Sequence, residues 1–487
     1  MRTLQNKNDF IIKNICCIGA GYVGGPTCAV IADRCPNVNV TVVDKSETKI
    51  SAWLSDELPL YEPGLLEIVK KCRDQNLFFS TNIEQSINEA ELIFISVDTP
   101  TQQFGIGKGK ALDLNNLEKA AKLIGQVATS NKIVVEKSTV PVKAAESIKK
   151  ILSQSCKSTC NLHHIVISNP EFLSEGSAIQ DLLWPDRVLI GVDENCEYGQ
   201  RALESLKWLY SHWVPVDRLI VMSTWSSELS KLAANAFLAQ RISSINSLSA
   251  ICEVTGADIR QVAEAVGRDK RIGSDFLNAS IGFGGSCFKK DVLNLIYLSE
   301  TLQLPEVASY WQSVLDLNNF QKNRSVNRIF HSFLNDIKGK RISIWGFAFK
   351  KNTRDTRESP AISICQNLHD KGAHLVIFDP KVPREQYYKD LKITENNTIT
   401  IATSAMESVE ASHAIVVCTE WDQFKTIDFG EIYKKMQHPA YIFDGRLILD
   451  HEKLTSIGFK VEAVGINPNN KSFSITGPRE VPNHLLL

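Results

Sequence analysis

The sequence predicts an α/β protein in which two doubly wound parallel-sheet domains are joined by a central helical domain containing one long helix. Three observations predict it. Short apolar runs alternate with helical stretches in the first part, the pattern turns wholly helical at residue 224, and the alternation returns after Gly339. Apolar strands buried on both faces and separated by helices build parallel sheets. At 487 residues the chain has room for about three such domains.

The first strands are expected at 15–18, 38–43, 92–97, 133–136, 165–168 and 188–191. From 224 to 255 there is neither Gly nor Pro, and Leu229, Leu232, Ala236, Ala239, Ile242 and Ile245 recur at intervals of three or four. That spacing predicts one apolar stripe on a single long helix. Further helices reach about residue 334, interrupted by the Gly-rich IGFGGSC. Strands at 341–345, 374–378, 414–418 and 440–443 then repeat the layout of the first part without detectable sequence likeness. The expected division is 1–223, 224–336 and 337–467, with 468–487 as a polar tail.

Charge and composition exclude several classes of function. The 54 Lys+Arg nearly match the 55 Asp+Glu, so a net charge of −1 gives no general hold on nucleic acid or anionic lipid. No apolar run approaches the roughly 18–20 residues of a membrane helix, and the N-terminal residues lack a signal-peptide core. A cytoplasmic protein without membrane or nucleic-acid partners is expected. Its twelve cysteines therefore read as small buried hydrophobes rather than disulfides. Cys156 and Cys160, even with His163 and His164, are spaced too loosely for a zinc site, so no metal is expected. One cysteine is different.

Gly19-Ala20-Gly21-Tyr22-Val23-Gly24 follows the first strand and opens a helix. The first Gly permits the tight turn, the second lets a pyrophosphate approach the backbone, and the third lets helix and strand pack closely. The helix N-terminus offers partial positive charge to the phosphates. Asp44 ends the second strand, where a carboxylate accepts hydrogen bonds from an adenosine ribose and repels a 2′-phosphate. This context predicts a Rossmann-like domain that favours NAD over NADP, a preference that nearby Lys49 weakens slightly.

Gly282-Phe283-Gly284-Gly285-Ser286-Cys287-Phe288-Lys289-Lys290-Asp291 brings a thiol to an expected helix start, with Ser286 as N-cap. A helix N-terminus favours the thiolate and so makes Cys287 a nucleophile. Asp291 lies four residues on, on the same face, as a base or water-orienting group. Lys231 and Asn235 share a face of the long helix and can both donate to an oxyanion. Glu171 and Glu175 follow Asn169-Pro170 just past a strand, at the edge where α/β proteins bind ligands. A buried inert Cys, a snorkelling Lys and an acidic first helical turn are the plain alternatives for each feature taken alone.

Taken together, these motifs resemble those of the UDP-glucose 6-dehydrogenases, the eukaryotic-type members of the UDP-glucose/GDP-mannose dehydrogenase family. The likeness runs through GAGYVGGPT, VDTPT (97–101), EKSTVPV (136–142), NPEFLSEG (169–176), SSELSKLAANAFLAQR (226–241) and GFGGSCFKKD (282–291). It continues through GFAFKKNTRDTRESP (346–360), FDPKVPREQ (378–386), CTEWDQF (418–424) and FDGR (443–446), covering about 12–465. The resemblance implies a four-electron oxidation of UDP-glucose at C6 to UDP-glucuronate, with two NAD used in succession. It also implies a homo-oligomer, dimeric through the central domain and assembling to a hexamer.

Carried onto this sequence, the resemblance makes Cys287 the nucleophile that forms a thiohemiacetal and then a thioester. Lys231 and Asn235 support the oxyanions, Asp291 with Glu175 and Thr139 handles the hydrolytic water, and Glu171 does acid/base work. NAD contacts fall on Gly19, Ala20, Gly21, Tyr22, Val23, Gly24, Asp44, Lys49, Val97, Asp98, Thr99, Pro100, Thr101, Ser138, Thr139, Glu175, Cys287, Lys290 and Arg357. Contacts to the UDP-sugar fall on Glu171, Phe172, Leu173, Ser174, Glu175, Lys231, Asn235, Phe276, Leu277, Asn278, Phe283, Gly284, Phe349, Lys350 and Arg446. Arg271 matches an arginine lent to the neighbouring subunit. Asn278 stands where animal members carry Lys, and Asp98 replaces the usual Asn of the VNTPT loop. Retention of Cys287, Lys231, Asn235 and Asp291 together argues against a silent NAD-binding protein.

Overall fold

A computed structural model of the chain describes residues 11–156, 162–193, 197–393 and 398–467. The expected tail at 468–487 and Cys160 of CKSTC lie outside the described residues. The described residues gather into two compact units. One draws on the chain up to Ala239, on Gly285–Ser313 and on Lys350–Asp355. The other draws on Gln240–Gly284, Val314–Phe349 and the chain from Thr356.

The first unit contains β1 (Asn14–Ile18), β2 (Asn39–Val43), β3 (Leu77–Ser80), β4 (Leu92–Ile95), β5 (Ile133–Glu136), β6 (Ile165–Ser168), β7 (Val188–Gly191) and β8 (Leu219–Met222). They lie in the order β3-β2-β1-β4-β5-β6-β7-β8. The chain thus starts mid-sheet and winds outward both ways, leaving a switch point between β1 and β4 where ligands bind in such sheets. Both sheet faces are covered, by Val40, Val42, Leu92 and Phe94 on one side and Ile93, Ile95, Val134 and Val166 on the other. Fully buried Trp53 stacks on Phe79 at 5.1 Å and donates from Nε1 to the Ala20 carbonyl at 3.0 Å, bracing the Gly-rich turn.

Two sequence expectations need correction. The sheet is not wholly parallel, because β6 and β7 pair antiparallel at Ser168 and Gly191. A strand buried on both faces reads the same in either direction, so its apolar run carries no sign of this. The helix Thr224–Thr255 forms as expected, but Leu229 is 42% exposed. It is turned roughly a quarter of a turn from the centre of a buried stripe made by Lys231, Leu232, Asn235, Ala236 and Ala239. Two polar residues therefore occupy the face where leucine was expected.

The second unit contains β9 (Arg341–Trp345), β10 (His374–Phe378), β11 (Ile399–Ile401), β12 (Ala414–Val417), β13 (Tyr441–Asp444) and β14 (Lys460–Ala463). Their order, β11-β10-β9-β12-β13-β14, repeats the winding of the first sheet, and every pair is parallel. The first turns of the two sheets also agree in detail. The Gly19 amide donates to the Val43 carbonyl at 2.8 Å, and the Gly346 amide to the Phe378 carbonyl at 2.8 Å. The next amide donates to an aspartate ending the neighbouring strand, Ala20 to Asp44 and Phe347 to Asp379. Asp379 is buried and also accepts from the Ala348, Lys381 and Val382 amides and from Trp421 Nε1.

Candidate active site

The Gly19–Gly24 turn is shaped for a dinucleotide. Gly19 has φ +113°, and a Cβ there would fall 2.3 Å from the Ser96 carbonyl oxygen, so only glycine fits. At Gly21 a Cβ would meet nothing within 4 Å, which leaves the backbone open to an incoming pyrophosphate. No side chain caps the N-terminus of helix Gly24–Arg34, so its positive end is available to phosphate. These features fit NAD.

Asp44 accepts from the Ala20 amide at 3.1 Å, the Ser46 amide at 3.0 Å and Lys49 Nζ at 2.9 Å. Burial alone would raise its carboxyl, but the Lys49 bond and the two amides outweigh this and hold it below the usual range. It is therefore an anion at neutral pH. Asp44→Ala is expected to weaken NAD and relax discrimination against NADP, measured as the ratio of kcat/KM for the two cofactors. An unchanged ratio would mean that another group reads the ribose.

Three loops are tied together beside this turn. Thr99 Oγ1 donates to the Thr139 carbonyl at 2.8 Å, and Ser138 Oγ donates to the Val97 carbonyl at 2.7 Å. Lys290 Nζ reaches both Thr99 oxygens at 3.4 Å. Glu228 caps the helix that follows Thr139, accepting from the Lys143 amide at 2.6 Å and the Ala145 amide at 2.8 Å. The side chain of Asp98 stands exposed, while Asn116 donates to its carbonyl.

Cys287 occupies the N-cap position of helix Phe288–Thr301, so Ser286 lies one residue outside the helix and is not its cap. The thiol is exposed, whereas Cys16, Cys17, Cys28, Cys35, Cys72, Cys252, Cys365 and Cys418 are buried. Burial pushes the Cys35 and Cys418 thiols up to about 12, which makes them inert. Ser286 turns its hydroxyl away from the helix. Its Oγ donates to Glu175 Oε1 at 3.2 Å and lies 3.5 Å from Cys287 Sγ. Buried Thr353 donates to Glu175 Oε2 at 3.4 Å.

Asn235 and Asp291 meet directly. The Asn235 amide donates to Asp291 Oδ2 at 2.5 Å. Asp291 Oδ1 is buried and accepts no hydrogen bond from the described residues, although Lys290 Nζ stands 3.8 Å away. A buried carboxyl oxygen in that position can take a hydrogen bond from a small polar group. Lys231 is buried, with its ammonium 5.1 Å from the centre of the Phe172 ring.

Glu171 is held more firmly than the sequence implies. Its Oε2 pairs with Lys137 Nζ at 2.9 Å, and its Oε1 accepts from the Phe172 and Leu173 amides at 2.8 and 3.1 Å. Burial would raise its carboxyl, but Lys137 and these hydrogen bonds hold it below the ordinary range. Burial likewise opposes the charge on Lys137, yet Glu171 and the Tyr210 hydroxyl keep that ammonium above its usual value. Lys137 also donates to Asn169 Oδ1 and Tyr210 Oη, both at 3.0 Å. Ser174 accepts from Lys350 Nζ at 2.7 Å, and Leu173 packs against the core.

In the second unit, Arg446 donates from Nε to the Cys418 carbonyl at 2.7 Å and from Nη2 to the Phe349 carbonyl at 3.0 Å. Buried Asn318 accepts from the Phe283 amide and donates to its carbonyl. A Cβ on Gly284 would fall 2.4 Å from the Glu358 carbonyl oxygen. Leu277 is buried, while Phe276 and Asn278 are exposed, Phe276 with φ +61°. Arg271 is 89% exposed and pairs with Asp269 at 2.6 Å. Arg357 is also exposed.

Sequence reasoning missed Lys137, Thr353, Glu62 and the orientation of Ser286. Buried Glu62 accepts from the Tyr22 hydroxyl and from the Gly176 and Ala178 amides at 2.8 and 2.6 Å, joining the Gly-rich turn to the Glu175 loop. Lys137 stood inside EKSTVPV, and a lysine directly after an apolar strand was a signal that could have been read.

Comparison with known proteins adds to this geometry. Sequence profiles of the UDP-glucose/GDP-mannose dehydrogenase family match the NAD binding domain at 13–214, the central domain at 225–320 and the UDP binding domain at 343–451. The chain is 60% identical over 459 residues to UDP-glucose 6-dehydrogenase of Drosophila melanogaster, covering 93% of this chain and 96% of that protein. It is 57% identical over 484 residues to UDP-glucose 6-dehydrogenase of Mus musculus, covering 98% and 97%. A UDP-glucose dehydrogenase structure from the archaeon Pyrobaculum islandicum matches with a TM-score of 0.81 at 28% identity, over 95% of this chain and all of that one. With all three profiles matched in order and identity sustained along nearly its whole length, the chain belongs to the UDP-glucose/GDP-mannose dehydrogenase family.

Proposed function

We propose that the chain oxidises the C6 hydroxymethyl group of UDP-glucose to a carboxylate, giving UDP-glucuronate through a covalent adduct on Cys287. The observation that carries this reading is an exposed thiol at a helix mouth, in one unit with a dinucleotide turn. An enzyme that stopped at the aldehyde would need no nucleophile. A thiol adduct turns the aldehyde into a species that can lose a second hydride. NAD held at the Gly19–Gly24 turn and Asp44 would supply the hydride acceptor for each oxidation.

The remaining chemistry belongs to side chains. Lys231 supports the C6 oxygen and moves its proton, with Glu171 as a fixed anion that balances local charge. Attack by Cys287 places negative charge on that oxygen. Lys231 and the Asn235 amide proton not used by Asp291 stabilise it. Asp291 Oδ1 receives a proton from the water that cleaves the thioester, and Thr139 and Glu175 help place that water.

We assign sugar-nucleotide contacts in the first unit to Phe172, Leu173, Ser174 and Lys350, and in the second to Phe276, Leu277, Asn278, Phe283, Gly284, Phe349 and Arg446. The division at 1–223, 224–336 and 337–467 follows these tasks. We further propose a homo-oligomer built through the central helices, with Arg271 serving a neighbouring copy. Exposed Leu248, Ile251 and Val254 on one helix face support it. The cysteines described are all free thiols, which supports a reducing, cytoplasmic location.

The test is NADH formed per limiting UDP-glucose, followed by absorbance with the product identified. Two per sugar with UDP-glucuronate is expected. One per sugar with an aldehyde would remove the covalent step, and no NADH would remove the substrate assignment.

A further inference from the structure

We propose that Ser286 is a positioning residue through which the Cys287 proton passes to Glu175. This rests on the covalent reading above. The Ser286 hydroxyl is within hydrogen-bond distance of both groups, 3.2 Å from Glu175 Oε1 and 3.5 Å from Cys287 Sγ. A hydroxyl has one proton and two lone pairs. With its proton committed to the carboxylate, it faces the sulfur with a lone pair, so the thiol is the donor. The direction is therefore set: S–H to Oγ, and Oγ–H to Oε1. Thr353 on Oε2 and burial of the carboxylate keep Glu175 aimed along this line.

The step balances. The S–H bond breaks as a new Oγ–H bond forms, and the original Oγ–H proton moves to Oε1. The single negative charge shifts from Glu175 to sulfur, leaving an intact hydroxyl and a carboxylic acid. The hydroxyl now points its proton at the thiolate, stabilising the charge it has released. A sulfur lone pair then forms the C–S bond to the aldehyde carbon, and the carbonyl π pair moves to oxygen. At hydrolysis the C–S pair returns to sulfur. Glu175 sends its proton back through Ser286, while Asp291 takes the proton from water. The protons on Asp291 and on the product acid leave to solvent. Asp291 therefore takes the proton of the water, while Glu175, which also helps place that water, holds the proton of the sulfur.

Alkylation of Cys287 by iodoacetamide, followed by the mass of its peptide across the neutral pH range, tests this without requiring turnover. Ser286→Ala and Glu175→Gln should each slow alkylation near neutrality by about tenfold, since each removes the route that favours the charged sulfur. The double variant should be no slower than either single one, because both interrupt the same path. Ser286→Thr should recover most of the rate and the wild-type pH profile. A merely structural serine would alter thermal stability or NAD affinity and leave that profile in place. Wild-type alkylation in Ser286→Ala, or multiplied effects in the double variant, would overturn the proposal. If Ser286→Ala does not fold, an unaffected rate in Glu175→Gln overturns it equally. Failure of the covalent reading is separate: Cys287→Ala would then still yield two NADH per sugar, whatever the alkylation rates.

Discussion

Cys287→Ser is expected to lose complete turnover by about a thousandfold or more, the scale seen when a catalytic nucleophile is removed. The serine would occupy the same exposed N-cap position, so the loss would come from chemistry rather than packing. At neutral pH a serine hydroxyl is almost wholly protonated, and an alkoxide leaves far less readily than a thiolate. Lys231, Asn235 and Asp291 would all remain. The first oxidation can still occur, so with limiting sugar the variant should release at most one NADH per sugar and no UDP-glucuronate. Sustained release of two by the serine variant would exclude a thioester.

Lys137→Met should cause the largest loss of stability. The lysine is 3% exposed and neutralises Glu171, itself 13% exposed, while bonding Asn169 and Tyr210. Methionine fills similar volume, so the cost comes from a buried carboxylate left without its cation, about 3–5 kcal/mol. The pH dependence gives the sign. In the wild type Glu171 is held below its ordinary 4.5 and Lys137 above 10.5, so the pair stabilises fully between those values. That stability fades as pH falls through the Glu171 value or rises through the Lys137 value. Without the lysine, burial raises the Glu171 carboxyl, and the penalty is relieved as acid protonates it. Urea unfolding at neutral and mildly acidic pH should therefore show a smaller deficit in acid. An equal deficit at both would mean that packing, not charge, is the cause.

Much of this fold was legible because parallel strands announce themselves. β5, β6, β7, β9 and β10 lie where their apolar runs place them. The edge strands β3, β8, β11 and β14 were not legible, since each is only three or four residues long and incompletely buried at the sheet margin. Leu229 was misplaced because an apolar stripe says nothing about polar residues that a site requires on the buried face. Cys287, Asp291, Lys231 and Asn235 were found because each pair recurs at helical spacing. Lys137, Thr353 and Ser286 act through contacts across 34 to 178 residues of sequence, and spacing along the chain does not encode such distances.

Both sheets present a glycine turn facing an aspartate, and a ligand drawn only to that outline would load either crevice. Asp44 Oδ1 accepts only from the Ser46 amide among the described residues, whereas the amides around Asp379 and the Trp421 indole occupy both of its oxygens. The second crevice has thus spent on its own scaffold the group that would greet an adenosine ribose. One architecture used twice is in this way sorted into two addresses, and the cofactor has little reason to be delivered to the wrong one.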